Sequence, residues 1–372
     1  MGAGLTRDEI FRAPKIDLHR HLDGAVRPEL VLEMAKKFGV ILPTYNLAEF
    51  KKLYQIVKPK GMPIRKLFER FAWAIAVMRT PKGLNQAAYE QVLDLARENI
   101  LYAEIRFAPG YHSIYLAPWY TPATYEKNVF PTMTLDLIVE LVLDGLARGM
   151  KETGISVNLT LCIPRESLSM YGPKSVSNIV DLALRFQNRG VVSLDLACNE
   201  VAFPPDAYEE FFRSTWGSKI RRNPHAGEMG LNSTKRRNIQ VCVDNFQANG
   251  LGHAMPLYQS ECLMNLVREK NIRIERTPLS PVPECSLADG HLDILLKHQV
   301  PVVITSDDPV LMRASLTDNW LAALNYHGLG EKEFWQLTAN ALNTAFYRSK
   351  AERKRVQKRF VEQGLSRSLL IK

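Results

Sequence analysis

Short β-prone runs alternate with longer stretches of helical periodicity along almost the whole chain. The runs are Lys15–His19, Leu101–Phe107, Ser156–Cys162, Val191–Ala197, Ile220–His225, Gly250–His253, Ile272–Arg276 and Pro301–Ser306, eight in all. Between them, Leu135, Leu137, Ile138, Leu141, Val142 and Leu146 share a helical stripe, and further helical stretches run through Val176–Phe186, Arg236–Ala248 and Tyr258–Glu269. A parallel return needs a long crossover, so this alternation predicts an α/β fold of βαβ units. Eight units fit a closed (β/α)8 barrel better than an open doubly wound sheet. No linker, low-complexity segment or repeat interrupts the pattern, and residues 1–372 read as a single barrel domain. Extra helices are expected after the first strand, between Pro28 and about Leu84, and at the C-terminus. In that insertion Leu67, Phe68, Phe71, Ala72, Ile75 and Met78 repeat at helical spacing, either packing on the core or covering the strand ends.

The polar residues that break the apolar runs fall at strand ends, where this fold places its chemistry. His19 and His21 close the first strand, His225 the fifth, His253 the sixth, and Asp307 and Asp308 the eighth. Spacing of two on a strand puts His19 and His21 on one face, pointing into the barrel. Two imidazoles so placed can share a divalent ion, and His225 and Asp307 would complete a three-nitrogen, one-carboxylate set that suits one zinc. A hydrolytic site needs such an open set, whereas a structural site would favour thiolates. Glu228 follows His225 by three residues through Ala-Gly, a spacing that permits a tight turn back to the mouth. There it is either a proton donor or an exposed loop acid.

Composition narrows the class without naming the chemistry. Of 372 residues, 46% are hydrophobic and 23% charged, as in an ordinary globular protein. No apolar run approaches the roughly 18 residues of a membrane span. The amino terminus lacks a secretory core, and Gly2 with Thr6 meets the short acylation pattern only as chance would. Cys162, Cys198, Cys242, Cys262 and Cys285 form no C-x-x-C pair, and Cys162 and Cys242 sit in apolar runs as core residues do. A reducing cytoplasm is expected. The net charge of +9 raises the question of nucleic acid. Much of that excess lies in Lys219–Arg222 and Arg348–Arg359. The second stretch has no interleaved aromatics, so it reads as a solvated terminal helix and no nucleic-acid partner is expected.

Six motifs now stand in order: Leu18-His-Arg-His-Leu-Asp-Gly-Ala25, Ala103-Glu-Ile-Arg-Phe-Ala-Pro109, Ser193-Leu-Asp-Leu-Ala197, His225-Ala-Gly-Glu228, Gly252-His253 and Thr305-Ser-Asp-Asp-Pro309. The combination, spread over roughly residues 13 to 350, resembles the adenosine deaminase family. The resemblance implies that His19, His21, His225 and Asp307 bind zinc. It implies that His253 orients the attacking water and handles its proton, that Glu228 protonates purine N1, and that Asp308 bonds to N7. Asp23, with Gly24 beside it, would meet the ribose 5′-hydroxyl, and the reaction would convert adenosine, with 2′-deoxyadenosine, to inosine and ammonia. A carboxylate at that position would repel a 5′-phosphate, which favours a purine nucleoside as the small-molecule partner.

Three features depart from the family pattern. Cys198 stands where glycine usually offers its N–H to purine N3, Ala254 replaces glycine after His253, and Thr277–Cys285 is rich in proline. They keep open a modified adenine nucleoside, 5′- or N6-substituted, or aminodeoxyfutalosine. Three other readings fit less well. A partner-binding pseudoenzyme would not need every acid–base position. A two-metal hydrolase would want a lysine near Leu194–Glu200, where none occurs. An RNA-editing deaminase would carry H-x-E and P-C-x-x-C, which are absent.

Overall fold

The computed structural model describes residues 4–56, 68–115, 120, 132–280, 282 and 287–370. Gly2, Leu67 and Cys285 lie outside the described residues, as does part of the proline-rich segment. The strands are β1 (Lys15–His21), β2 (Ile100–Phe107), β3 (Ser156–Pro164), β4 (Val191–Ala197), β5 (Arg221–Arg222), β6 (His225–Ala226), β7 (Gly250–His253), β8 (Arg273–Arg276) and β9 (Val302–Ile304). Every pairing is parallel, in the orders β1-β2-β3-β4-β5 and β6-β7-β8-β9. The fold is a (β/α)8 barrel, with β5 and β6 two halves of one strand position.

That division corrects the continuous run expected over Ile220–His225. Pro224 has no N–H for a ladder, so pairing stops at Arg222 and resumes at His225. The Asn223 N–H still reaches Leu194 O at 2.8 Å, and Pro224 O accepts from Gly252 N–H at 3.0 Å. At the other seam an isolated parallel bridge joins Arg20 to Asp307. There His21 N–H donates to Asp307 O and Asp307 N–H to His19 O, each at 2.8 Å.

Helices cover the outside in the expected places, among them Leu135–Thr153, Pro173–Phe186, Asn232–Asp244 and Glu261–Glu269. The insertion after β1 contains Pro28–Phe38, Leu47–Tyr54 and Ala72–Met78. Alternation along β1 explains how its apolar residues are used. Ile16 and Leu18 join Leu101, Val303, Leu342, Val356 and Phe360 in one buried cluster. The C-terminal helix Lys350–Glu362 is therefore not the fully solvated element expected from its charge. Glu352, Val356 and Phe360 form its buried face, and Glu352 accepts from Arg348 N–H at 2.7 Å and Asn158 Nδ2 at 3.1 Å. Arg355 and Arg359 anchor it to Ser156 Oγ and Gly154 O at 2.9 and 2.7 Å.

The other alternate positions bury charge. Barrel interiors are usually filled by branched apolar side chains; here Glu104, Arg106, Asp195, Arg273 and Glu275 are all fully buried. Arg273 pairs with Glu104 and, at 2.8 Å, with Glu275. Arg106 pairs with Glu275 at 2.8 Å and Asp195 at 3.2 Å. Each guanidinium thus bridges two carboxylates, and the chain of contacts runs up the barrel axis.

Removing Arg273 leaves Glu104 buried without its cation, while Glu275 keeps Arg106, and an uncompensated buried charge costs about 3–5 kcal/mol. Arg273→Met should lower the free energy of unfolding by about that amount in denaturant titrations. A variant as stable as the wild type would show that the network does not hold the barrel interior together.

Candidate active site

The charged network ends on two histidines. His19 Nδ1 lies 2.7 Å from Glu275 Oε2, and His225 Nδ1 lies 2.9 Å from Asp195 Oδ1. Asp195 Oδ1 also accepts the His225 N–H at 3.0 Å, so the bond lost from the ladder at Pro224 is replaced by a side chain. A carboxylate at Nδ1 keeps the proton there and leaves Nε2 as a lone pair. Despite burial, His225 and Arg106 hold the Asp195 carboxyl well below the usual carboxylate range.

These lone pairs converge. His19 Nε2 and His21 Nε2 are 3.3 Å apart, and Asp307 Oδ1 lies 3.6 and 3.4 Å from them. His19, His21 and His225 can meet one ion, as can His19, His253 and Asp307. Burial keeps His19 and His21 neutral by pulling both well below the usual imidazole range. Acceptors packed this closely repel one another unless a cation lies between them. The residues present therefore fit a bound divalent metal.

Around this cluster four buried carboxyls face the same space. Burial pushes Asp23 and Asp307 up to about 6 and Asp308 well above its ordinary value. Glu228 rises to about 8, through burial and then Asp307 and Glu200, against the pull of His225. His253 Nε2 sits 3.5 Å from Glu228 Oε1 and 3.9 Å from Asp307 Oδ2. Among the described residues, both His253 nitrogens, Asp23 Oδ1 and Asp308 Oδ1 are buried without a hydrogen-bond partner. Buried polar atoms left so are where a ligand or water is to be sought.

The expected site residues thus come together at one mouth. Gly24 has a different place: it does not line the cavity. A Cβ there would fall 1.7 Å from Asp308 Oδ1, and Gly24 O accepts from Val310 and Leu311 N–H. Glycine at this position lets the β1 and β9 ends approach each other, which seats both Asp23 and Asp308.

Strand ends are also where the backbone is strained. Cys198, His253, Ala254 and Asp307 have φ of +79°, +61°, +48° and +60°. Each costs on the order of 1 kcal/mol for a residue with a Cβ. Cys198 and Ala254 are the two positions where the family pattern has glycine, and the left-handed backbone supplies the reason for that glycine. The Cys198 thiol meets Tyr111 Oη at 3.2 Å, and that hydroxyl also donates to Glu166.

The cavity opens to solvent. His21, Asp23, His225, Glu228, Asp307 and Asp308 share it with Phe68, Phe71, Tyr111 and Cys198. Of the apolar stripe after β1, Phe68 and Phe71 face the cavity, while Ala72, Ile75 and Met78 join the core. Both proposed uses of the stripe are realised. Cys162 and Cys242 are both core residues as expected, and Cys162 also lines the cavity and donates its thiol to Asp195 Oδ2 at 3.3 Å.

Sequence reasoning assigned no role to Arg106, Asp195 or Glu275. For Arg106 and Asp195 the signal was a charge between apolar neighbours, as in Ile105-Arg106-Phe107 and Leu194-Asp195-Leu196; Glu275, in the charged strand Arg273–Arg276, gave no such signal.

Convergent imidazoles at the strand ends of a (β/α)8 barrel with a polar interior make a site that fits a divalent metal. The chain matches the adenosine deaminase family over residues 14–362 and belongs to it; it is an aminohydrolase. An adenosine deaminase from Mycobacterium sp. (strain KMS) is 31% identical, with 93% of this chain and 94% of the relative covered. A zinc-bound amidohydrolase from Burkholderia ambifaria superposes with a TM-score of 0.79 at 19% identity, covering 98% of this chain and 95% of that one. An Arabidopsis N6-methyl-AMP deaminase superposes with a TM-score of 0.75 at 22% identity, covering 95% and 99%. No helix among the described residues is long and apolar enough to cross a membrane.

Carboxylates that orient ligating histidines tune metal affinity by about 10–100-fold. Asp195→Asn should weaken metal binding by about that factor in a chelator competition, with the fold retained. Unchanged affinity would show that the His225–Asp195 pair is structural only.

Proposed function

We propose that the enzyme deaminates adenosine, and 2′-deoxyadenosine with it, to inosine and ammonia, using one zinc per chain held by His19, His21, His225 and Asp307. The observation that carries this reading is an acidic cavity, with unpartnered Asp23 and Asp308 oxygens, beside a convergent set of imidazole lone pairs. Zinc, when bound, would supply the Lewis acidity that makes water reactive at purine C6.

The chain's own residues handle the protons. A Glu228 carboxyl raised to about 8 is protonated at neutral pH and can give its proton to N1 as the ring loses aromaticity. Burial holds His253 well below its ordinary value, so its neutral imidazole can orient water and take up the proton released on attack. That proton leaves with the amino group as ammonia. Asp308, pushed well above the carboxylate range by burial and Asp307, can donate to N7, an acceptor. Phe68 and Phe71 offer apolar faces against which a flat base can stack.

A nucleoside suits this cavity better than a nucleotide. Among the described residues no lysine or arginine lines it, and Asp23 would oppose a 5′-phosphate. A free base would leave the buried Asp23 oxygen without a partner. A second reading, a 5′- or N6-substituted adenosine or aminodeoxyfutalosine, is prompted by the altered cavity wall at Cys198, whose thiol lies 3.2 Å from Tyr111 Oη.

Glu228→Gln should keep metal and fold while losing on the order of 10²–10⁴ in kcat for ammonia release. Turnover near the wild-type rate would remove Glu228 from the reaction. Asp23→Ala should lower kcat/KM for adenosine and narrow the gap between adenosine and AMP, since both an acceptor and a repelling charge are lost. Kinetics for adenine, adenosine, AMP, N6-methyladenosine and aminodeoxyfutalosine compare the substrates directly. An Asp23→Ala enzyme with unaltered adenosine kinetics would overturn the nucleoside assignment.

A further inference from the structure

The turn that carries Glu228 rests on a second buried acid. Glu200, 1% exposed, follows β4 by three residues. Its Oε2 accepts from Gly227 N–H at 3.0 Å and from Asn238 Nδ2 at 3.1 Å. Its Oε1 accepts from Glu228 N–H and from Met229 N–H, the latter at 2.6 Å. Three consecutive main-chain N–H groups thus close on one carboxylate. The left-handed Gly227, φ +75°, turns them to the same side. No described lysine or arginine pairs with Glu200, so these N–H groups and the Asn238 amide meet its charge.

The support is held firmly at its own end. Cys198 adopts φ +79°, and Asn199 Oδ1 accepts from Val201 and Ala202 N–H, each at 3.1 Å. The loop after β4 therefore reaches across to the loop after β6 through the Glu200 side chain. A peptide segment bonded at three successive N–H groups cannot rotate without losing those bonds. The side chain of Glu228 projects from the middle residue of the three.

We propose that Glu200 is a positioning residue, whose carboxylate holds the Gly227–Met229 backbone so that the Glu228 carboxyl stays aimed into the cavity. The proposal rests on the assignment of Glu228 as proton donor. Glu200 touches no reacting atom; it acts through Glu228. Gln keeps the shape of the side chain, yet one of its two terminal groups is an NH2 facing main-chain N–H donors, so part of the cradle is lost.

Two measurements separate this role from a merely structural one. Amide hydrogen exchange over residues 227–229 should be slow in the wild type and faster in Glu200→Gln, whatever the chemistry. Glu200→Gln should also lose about tenfold to a hundredfold in kcat for adenosine, with KM within about threefold, because a small misplacement of a catalytic group has such an effect. On a Glu228→Gln background the same change should lower kcat by less than about threefold, since the group being aimed is already gone. Glu200→Asp, which keeps the charge on a shorter arm, should recover part of kcat and provides the test if Glu200→Gln does not fold. Equal losses on both backgrounds, or unchanged exchange in the variant, would overturn the proposal. Normal turnover by Glu228→Gln alone would instead refute the proton-donor assignment, and the exchange data would still report on the cradle.

Discussion

Two guanidinium groups buried on the barrel axis set the geometry of everything above them. Arg273 joins Glu104 to Glu275, and Arg106 joins Glu275 to Asp195. Glu275 and Asp195 then hold His19 and His225 by their Nδ1 atoms. Buried carboxylates facing an empty interior would protonate and lose their grip on the imidazoles. His225 and Arg106 hold the Asp195 carboxyl well below the usual carboxylate range, so His225 keeps the tautomer that turns its Nε2 lone pair towards the cavity. The stability of the interior and the readiness of the site come from the same contacts.

The mouth is built on the opposite principle. Carboxyls of Asp23, Asp307, Asp308 and Glu228 crowd one cavity without a described cation, and burial drives each of them towards its neutral form. Below, carboxylates are paired with guanidinium groups; above, burial moves the carboxyls towards their neutral forms. The boundary between the two regimes runs through His19 and His225, each with one nitrogen on either side. Strained backbone collects at the same level, at Cys198, His253, Ala254 and Asp307. Such strain persists where surrounding contacts over-determine a conformation. Here the Arg20–Asp307 bridge and the Gly24 O bonds do so for the β9 end.

Sequence alone determined a good deal. Alternation of β-prone and helical runs is a local property, and it specified parallel strands, their order and most of their bounds. Strand parity placed His19 and His21 on one face, because successive side chains on a strand must alternate. The clustering of His225, His253, Asp307 and Asp308 followed once strand ends were known to meet. Tertiary structure decided what depends on contacts between distant segments. Pro224 divides a strand that looked continuous, and Asp195, thirty residues away in sequence, supplies the missing acceptor. Glu352 turned a basic helix into a buried prop by meeting Asn158 across 194 residues. The work of Gly24 was visible only when Asp308 was seen against it, and that of Glu200 only when three N–H groups closed on it. A periodic pattern shows which face a residue takes; which partner waits there is a matter of folded distance, and pattern carries no information about it.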